Sequence, residues 1–451
     1  MKSSHLNINN VRVGDIRLDP EYHLSDGVRI KRIISSMPYP VASVKDLSTR
    51  IFYSGRAKRV YVSKKENGIP LLTGSAILQA DLSNLKLASS KYTPNLDEMI
   101  VQKGWILISR SGSVGNTAYA NGEHANKLGS EDVIRVCPND KVMRGYLYAY
   151  LASKFGHSLL TQGTFGAVIQ HIEPDFIGTI PVPQLPGSFQ KEVDDLIQES
   201  SRLREEASCL LNSAHKIIED KYDIAAIQKS PIVSISSILN SHTIRFEASY
   251  HTSSNRSVYD YIINNTEYKY LKDCTSKIFR PGIFKREYVP NGVTFLGGAD
   301  ILMAIPNSDK KLSFRQVEKM PELRVHKNWI LVTCGGTLGN TVLIDNQLEK
   351  CAISQHVMRL VPNNVIPQGY LYAFLSSKVG YKLITMFSSG SVIPQIESHH
   401  LELVPIPILE ADIMSHIDVL ITKYVNCIEQ SKEKETRAIS MVEQEIEKWN
   451  N

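Results

Sequence analysis

Apolar residues along this chain keep two different rhythms. Short apolar runs such as Trp105-Ile-Leu-Ile108 and Val133-Ile-Arg-Val136 are bounded by Gly, Asn and Pro, the pattern of strands joined by turns. Between such runs, Leu147 to Leu160 and Leu371 to Ile384 carry helical spacing. A longer rhythm steps by 3 and 4 through Val193, Leu196, Ser200, Leu203, Ala207, Leu210, Ala214 and Ile217. It resumes through Ile421, Val425, Ile428, Lys432, Glu435, Ile439, Val442 and Ile446, with two polar members. Both are heptad patterns. The first, with small residues at one core site, lets a partner helix approach closely. The spacing predicts a long helix from about Ser188 to Asp223 and a second at the C-terminus. The two are expected to pair with each other, antiparallel, with a globular domain at either end; the alternative is two unrelated helices, each packed on its own domain.

The short rhythm is written twice. At a shift of 224, Trp105-Ile-Leu-Ile-Ser-Arg-Ser-Gly-Ser-Val-Gly-Asn-Thr117 aligns with Trp329-Ile-Leu-Val-Thr-Cys-Gly-Gly-Thr-Leu-Gly-Asn-Thr341. The same shift pairs Gly145-Tyr-Leu-Tyr-Ala149 with Gly369-Tyr-Leu-Tyr-Ala373, and Ile180-Pro-Val-Pro183 with Val404-Pro-Ile-Pro407. Toward each start the match is weaker: Ile16 to His23 with Ile244 to His251 at 228, and Ile51 to Val62 with Ile278 to Val289 at 227. Small loop insertions explain the drift. So long a period means a duplicated domain, not a solenoid. Each copy reads as a loop-rich α+β domain, and the chain divides into repeat 1–186, helix 187–225, repeat 226–410 and helix 411–451.

A length of 451 residues fits two to four domains. With 42% hydrophobic residues, no membrane-length apolar run and no apolar signal core at the start, an intracellular, cytoplasmic protein is expected. Six scattered cysteines show no zinc spacing and read as reduced, mostly buried thiols. The net charge of +5 hides a division: the helical segments 188–223 and 401–451 carry −4 and −5, leaving +14 elsewhere. Basic repeats suit a polyanion and acidic helices suit protein partners.

Three doubled features could carry chemistry. The Gly-rich turns hold Arg110, Ser111, Ser113 and Asn116 in one copy and Thr337 and Asn340 in the other. No Lys-Ser/Thr follows them, so they are not nucleotide phosphate loops. They are either contacts to phosphate or base edges, or hairpin turns whose glycines serve positive φ. A second loop places Thr164, Gln170 and His171 opposite Ser389, Ser391 and Gln395. Such side chains can read base edges, or simply cap a turn. Third, seven bases against one acid lie between Lys45 and Lys65, and six against two between Lys269 and Val289. Arg56, Lys58, Arg59 and Tyr61 in the first, and Arg280, Lys285, Arg286 and Tyr288 in the second, suit a nucleic-acid backbone, with a solvated basic face as the alternative. No Walker lysine, H-E-x-x-H, G-x-S-x-G or amino-methyltransferase Asn/Asp-Pro-Pro-aromatic motif occurs, so a binding protein is expected, not an enzyme.

Taken together, Trp105 to Gly115, Gly145-Tyr-Leu-Tyr-Ala149, Ile177-Gly-Thr-Ile-Pro-Val-Pro183 and their second copies resemble the specificity subunits of type I restriction-modification systems. The resemblance covers nearly the whole chain. It implies that each repeat is a target recognition domain reading one half of a split double-stranded DNA sequence, and that the paired helices fix the gap. It further implies that the helices bind two methyltransferase subunits, that restriction subunits join these, and that S-adenosylmethionine belongs to the methyltransferase, with no cofactor on this chain. Cys334-Gly335 replaces Arg110-Ser111, and Pro394-Gln395 replaces Gln170-His171, so an asymmetric target is expected. Rival readings are a DNA-binding adaptor of another phage-defence complex and a protein-interaction scaffold.

Overall fold

Strand pairing in the computed structural model repeats the duplication seen in the sequence. It describes residues 25–56, 58–164, 170–222, 234–239, 245–246, 248–251, 253–388 and 394–449. Two compact units emerge, 1–205 with 430–451, and 206–429.

In the first unit, helix α1 (Asp26–Ser36) leads into strands β1 (Val41–Ser43), β2 (Ser48–Phe52), β3 (Tyr61–Val62), β4 (Gly68–Leu72) and β5 (Leu87–Ser89). Strands β6 (Ile106–Ser109), β7 (Thr117–Tyr119), β8 (Leu128–Gly129) and β9 (Val133–Pro138) follow, then helices α2 (Arg144–Ala152) and α3 (Lys154–Gln162) and strand β10 (Pro181–Pro183). One antiparallel sheet runs β2-β9-β6-β7, a second sheet runs β3-β5-β4-β8, and β1 pairs with β10. Helix α4 (Gly187–Lys221) comes next.

The second unit repeats this plan. After helix α5 (Ser254–Asn265) come β11 (Tyr268–Tyr270), β12 (Thr275–Phe279), β13 (Tyr288–Leu296), β14 (Lys311–Leu312), β15 (Ile330–Thr333), β16 (Thr341–Leu343), β17 (Ala352–Ile353) and β18 (Val357–Pro362). Helices α6 (Gln368–Ser376) and α7 (Lys378–Met386), strand β19 (Pro405–Pro407) and helix α8 (Ala411–Glu447) complete it. The order β12-β18-β15-β16 matches β2-β9-β6-β7, and β11 pairs with β19 as β1 does with β10.

The predicted strands at 105–108 and 133–136 are β6 and β9. The stretches Leu147 to Leu160 and Leu371 to Ile384 are not single helices: each breaks, at Ser153 and Ser377. There the serine side chain caps the next helix by accepting the N–H of Gly156 or Gly380. A Cβ on Gly156 would sit 2.1 Å from the Tyr150 carbonyl oxygen, so the turn closes only over glycine.

The doubled Gly-Tyr-Leu-Tyr-Ala motif ties each domain to the helix that follows it. The N–H of Gly145 donates to Asp194 Oδ1 at 2.6 Å, and that of Gly369 to Asp418 Oδ1 at 2.6 Å. Each carboxylate thereby sits at the N-terminus of α2 or α6, where the helix dipole favours it. The Tyr146 and Tyr370 hydroxyls reach across the core to the carbonyls of Pro183 and Pro407.

Each unit also contains the far half of the other long helix. In the first unit Val193 and Ile197 of α4 share one core with Ala438, Val442 and Ile446 of α8; in the second, Ala214 and Ile218 share one with Ile417 and Ile421. The helices pair antiparallel: Ser200 meets Ser431, and Glu192 meets Arg437. Ser200 Oγ donates to the Ser431 carbonyl at 2.9 Å and Ser431 Oγ to that of Ser200 at 3.1 Å, the close approach that small residues permit.

The buried stripe of α4 lies partly one residue off the expected register. Ile197 and Ile218 are buried, whereas Leu196, Leu210 and Ile217 are only half-buried. The cause is that α4 also packs on its own repeat, which widens the stripe beyond a two-site seam. None of the six cysteines forms a disulfide, and all but Cys209 are buried.

Candidate nucleic-acid interface

The turn between β6 and β7 closes a hairpin, as does that between β15 and β16. Gly112 and Gly115 take φ of 76° and 83°, and Gly336 and Gly339 take 80° and 78°. Hairpin geometry therefore accounts for these glycines. It leaves Ser113 and Thr337 exposed at the tips, with Asn116 and Asn340 half-buried at the closing end.

The structure brings each Gly-rich turn against the second doubled loop. Ser111 bridges His171 and Gly335 bridges Gln395, both antiparallel. The N–H of Ile172 donates to the Arg110 carbonyl at 3.2 Å, and that of Ile396 to the Cys334 carbonyl at 3.1 Å. Gln170 is exposed beside this bridge, and Thr164 is half-buried just beyond α3. Ser389 and Ser391, like Ile16 to His23, lie outside the described residues.

Beneath the bridge each repeat carries one arginine–glutamate pair, delivered from different strands. Arg110 contacts Glu173 at 2.5 Å and lies 4.2 Å over the Tyr53 ring. In the second repeat Cys334 stands in place of Arg110 and Arg280 in place of Tyr53, and Arg280 contacts Glu397 at 2.7 Å. Burial pushes the Cys334 thiol up, against the opposing pull of Arg280. Arg110 and Arg280 are thus held inside their repeats by carboxylates. Glu173 and Glu397 recur at the same shift of 224, which is the signal for them in the sequence.

A second arginine recurs in both repeats. Arg135 and Arg359 are both fully buried. Arg135 donates to the Gly129 carbonyl, and Arg359 to the carbonyls of Ser354 at 2.8 Å, Val357 at 2.5 Å and Ile353. Desolvation lowers Arg135 to about 10 and Arg359 to about 9, so both stay cationic at neutral pH. Their donors fix the loops 129–132 and 353–356.

The basic clusters fall on the segments between β2 and β3 and between β12 and β13. Arg56 and Lys58 are exposed, and Tyr61 is 45% exposed with Lys86 Nζ 5.4 Å from its ring. Arg59 instead contacts Glu131 at 2.6 Å and Asp132 at 3.4 Å, and the Glu131 hydrogen bond raises its pKa further. Asp132 also accepts from Ser111 Oγ, joining the basic segment to the Gly-rich turn. In the second repeat Lys285 and Arg286 are exposed, Tyr288 is 48% exposed, and Arg286 reaches Gln355 Oε1 at 3.4 Å.

Among the described residues no group of His, Cys, Asp and Glu could hold a metal ion, and no helix is long and apolar enough to cross a membrane. The family model for the type I restriction modification DNA specificity domain matches residues 191–438. No curated protein matches the chain. Among solved structures, the chain is similar to a type I restriction-modification S subunit from M. genitalium at 14% identity, covering 92% of this chain and 96% of that one, with a TM-score of 0.35. It is also similar to an HsdS subunit from Thermoanaerobacter tengcongensis at 12% identity, covering 90% and 96%, with a TM-score of 0.30.

Proposed function

The chain belongs to the type I restriction-modification DNA specificity family, and from that premise we propose that it reads a two-part, asymmetric double-stranded DNA sequence for a methyltransferase complex. The observation that carries this reading is the doubled bridge, Ser111 to His171 and Gly335 to Gln395. In each repeat it gathers half-buried and exposed polar residues, with Ser113 and Gln170 exposed in one and Thr337 in the other, beside a basic segment with a neighbouring tyrosine. Phosphate contacts from such a segment position a duplex, and polar side chains at the bridge discriminate base edges. Because the bridged residues differ between repeats, the two half-sites differ.

In this proposal the chain is a non-catalytic subunit acting in the cytoplasm. The acidic faces of α4 and α8 dock two methyltransferase subunits, which carry S-adenosylmethionine, and restriction subunits join that core. The paired helices set the gap between half-sites. The test is to co-express the chain with its adenine methyltransferase, supply S-adenosylmethionine, and map methylated adenines on a random-sequence DNA library. A single asymmetric two-part sequence with a fixed gap is expected. Methylation in a continuous or palindromic sequence, or a stable complex that methylates without sequence preference, would overturn the proposal.

A further inference from the structure

A cleft of about 330 Å³ in the second unit lies where the basic segment, the Gly-rich turn and the loop fixed by Arg359 converge. Arg286, Lys310 and His356 line it together with Tyr288, Gly336 and Thr337. The equivalent positions of the first repeat keep both cations but carry two carboxylates besides. Arg286 corresponds to Arg59, Lys310 to Lys86, Gln355 to Glu131 and His356 to Asp132.

In the first repeat the arginine comes with its own anions, while Lys86 lies 5.4 Å from the Tyr61 ring. Arg59 is held by Glu131 and Asp132, and Asp132 also accepts from Ser111 Oγ. In the second repeat both carboxylates are gone. Arg286 has the neutral Gln355 amide oxygen at 3.4 Å and the Phe295 ring 5.6 Å from its guanidinium carbon, and neither Arg286 nor Lys310 forms an ion pair among the described residues. One carboxylate, Asp300, lines the cleft, and its Oδ2 accepts the Gly297 N–H at 2.8 Å. Unpaired cations around a concave site with an aromatic wall focus a positive potential that attracts an anion from outside the chain.

We infer that this cleft of the second repeat takes a backbone phosphate of the bound DNA, with Arg286 and Lys310 as its cationic ligands and Tyr288 against the adjoining sugar, and that the first repeat has no counterpart because Glu131 and Asp132 already occupy that role. The inference rests on the DNA-reading function proposed above. It makes the second repeat the stronger electrostatic anchor.

The test uses the full chain in complex with its methyltransferase and measures affinity for a random-sequence duplex over a salt series. Arg286→Gln with Lys310→Gln is expected to weaken binding about tenfold and to lower the slope of log affinity against log salt by about one, since the one lost phosphate contact removes about 0.9. Both residues are exposed, so thermal unfolding of this variant should match the parent. The converse variant, Glu131→Gln with Asp132→His, gives the first repeat the second's residues and should raise the slope by about one. Unchanged slopes in both variants, with Arg56→Gln and Lys58→Gln still lowering it, would overturn the cleft while leaving DNA reading intact. A parent complex that binds no duplex would overturn the function itself. Inorganic phosphate and dAMP serve as competitors: binding of either that the duplex cannot displace would make the cleft a small-anion site and overturn the inference.

Discussion

Arg204 on α4 and Glu435 on α8 meet at 2.6 Å inside the paired helices, where the Glu435 side chain is only 5% exposed. Tyr148 from α2 donates to the same carboxylate, and Ser200 Oγ lies 3.4 Å from it. Burial pushes the Tyr148 hydroxyl well up, and the neighbouring Glu435 charge adds to this, so Tyr148 remains a donor. Glu435 is thus where the two helices and the globular repeat of the first unit are joined through one charge.

Breaking that contact from one side should be costly. Glu435→Ala leaves the guanidinium without its partner and is expected to destabilise the full chain by about 3–5 kcal/mol in chemical denaturation. Arg204→Met combined with Glu435→Leu should recover part of this, because apolar residues of similar volume avoid the desolvation cost, while the buried Tyr148 hydroxyl still loses its acceptor. Equal instability in the single and double variants would assign the loss to packing.

The swapped arginines predict a rescue. Arg110→Cys leaves Glu173 without its cation and should cost about 1.5–3 kcal/mol, the range for a charge-assisted hydrogen bond. Adding Tyr53→Arg copies the arrangement of Arg280, Cys334 and Glu397, and at least half the loss should return. Simple additivity of the two substitutions would show that the two strands do not substitute for one another.

His124 predicts a pH dependence. Its imidazole is buried against Asn121 Oδ1 at 2.7 Å and the Ile77 carbonyl at 3.1 Å. Desolvation pushes it down to about 4, against the pull of the Ile77 carbonyl. Unfolded, it titrates near 6.5. Between these values the unfolded chain binds a proton that the folded chain refuses, so stability is lost as pH falls from about 6.5 toward 4. The loss amounts to at most roughly 3 kcal/mol. His124→Gln should flatten this part of the unfolding profile, and a variant with the parent's slope would place the acid sensitivity elsewhere.

The gap between half-sites should follow helix length. One heptad adds about 10 Å along the axis, and it must be added to both helices to keep them in register. Ala207 is the insertion point on α4; counting back from the Ser200 and Ser431 contact, its opposite on α8 is Tyr424. The matched insertion is expected to widen the methylated sequence by about three base pairs, at roughly 3.4 Å per step, with both half-sites unchanged. An active variant with the parent gap would remove the helices from spacing. Lengthening α4 alone should weaken the helix pairing.

The residues that announce themselves in the sequence are those whose role is local or periodic. The heptad stepping from Val193 and from Ile421 needs only the period of a helix, and its polar members Lys432 and Glu435 are buried where the stepping puts them. The duplication is legible because both copies keep the same glycines and prolines, which hairpins and the Pro-x-Pro strands require of the backbone itself. The apolar spacing of Leu147 to Leu160 misleads, because it runs on through Ser153: α2 is buried on all sides, and the break shows only in the Ser153 cap and in the Tyr150 carbonyl that leaves no room for a Cβ at Gly156. Which loops touch was decided by the sheets. Arg110 and Glu173 lie 63 positions apart, and Arg280 and Glu397 lie 117 apart. That Arg280 replaces Arg110 becomes visible only when β2 and β6 flank β9, and β12 and β15 flank β18. The basic clusters were legible as charge, but not which cations stay unpaired. Arg59 and Arg286 look alike in the chain, and they differ because folding brings Glu131 and Asp132 to one and Gln355 and His356 to the other.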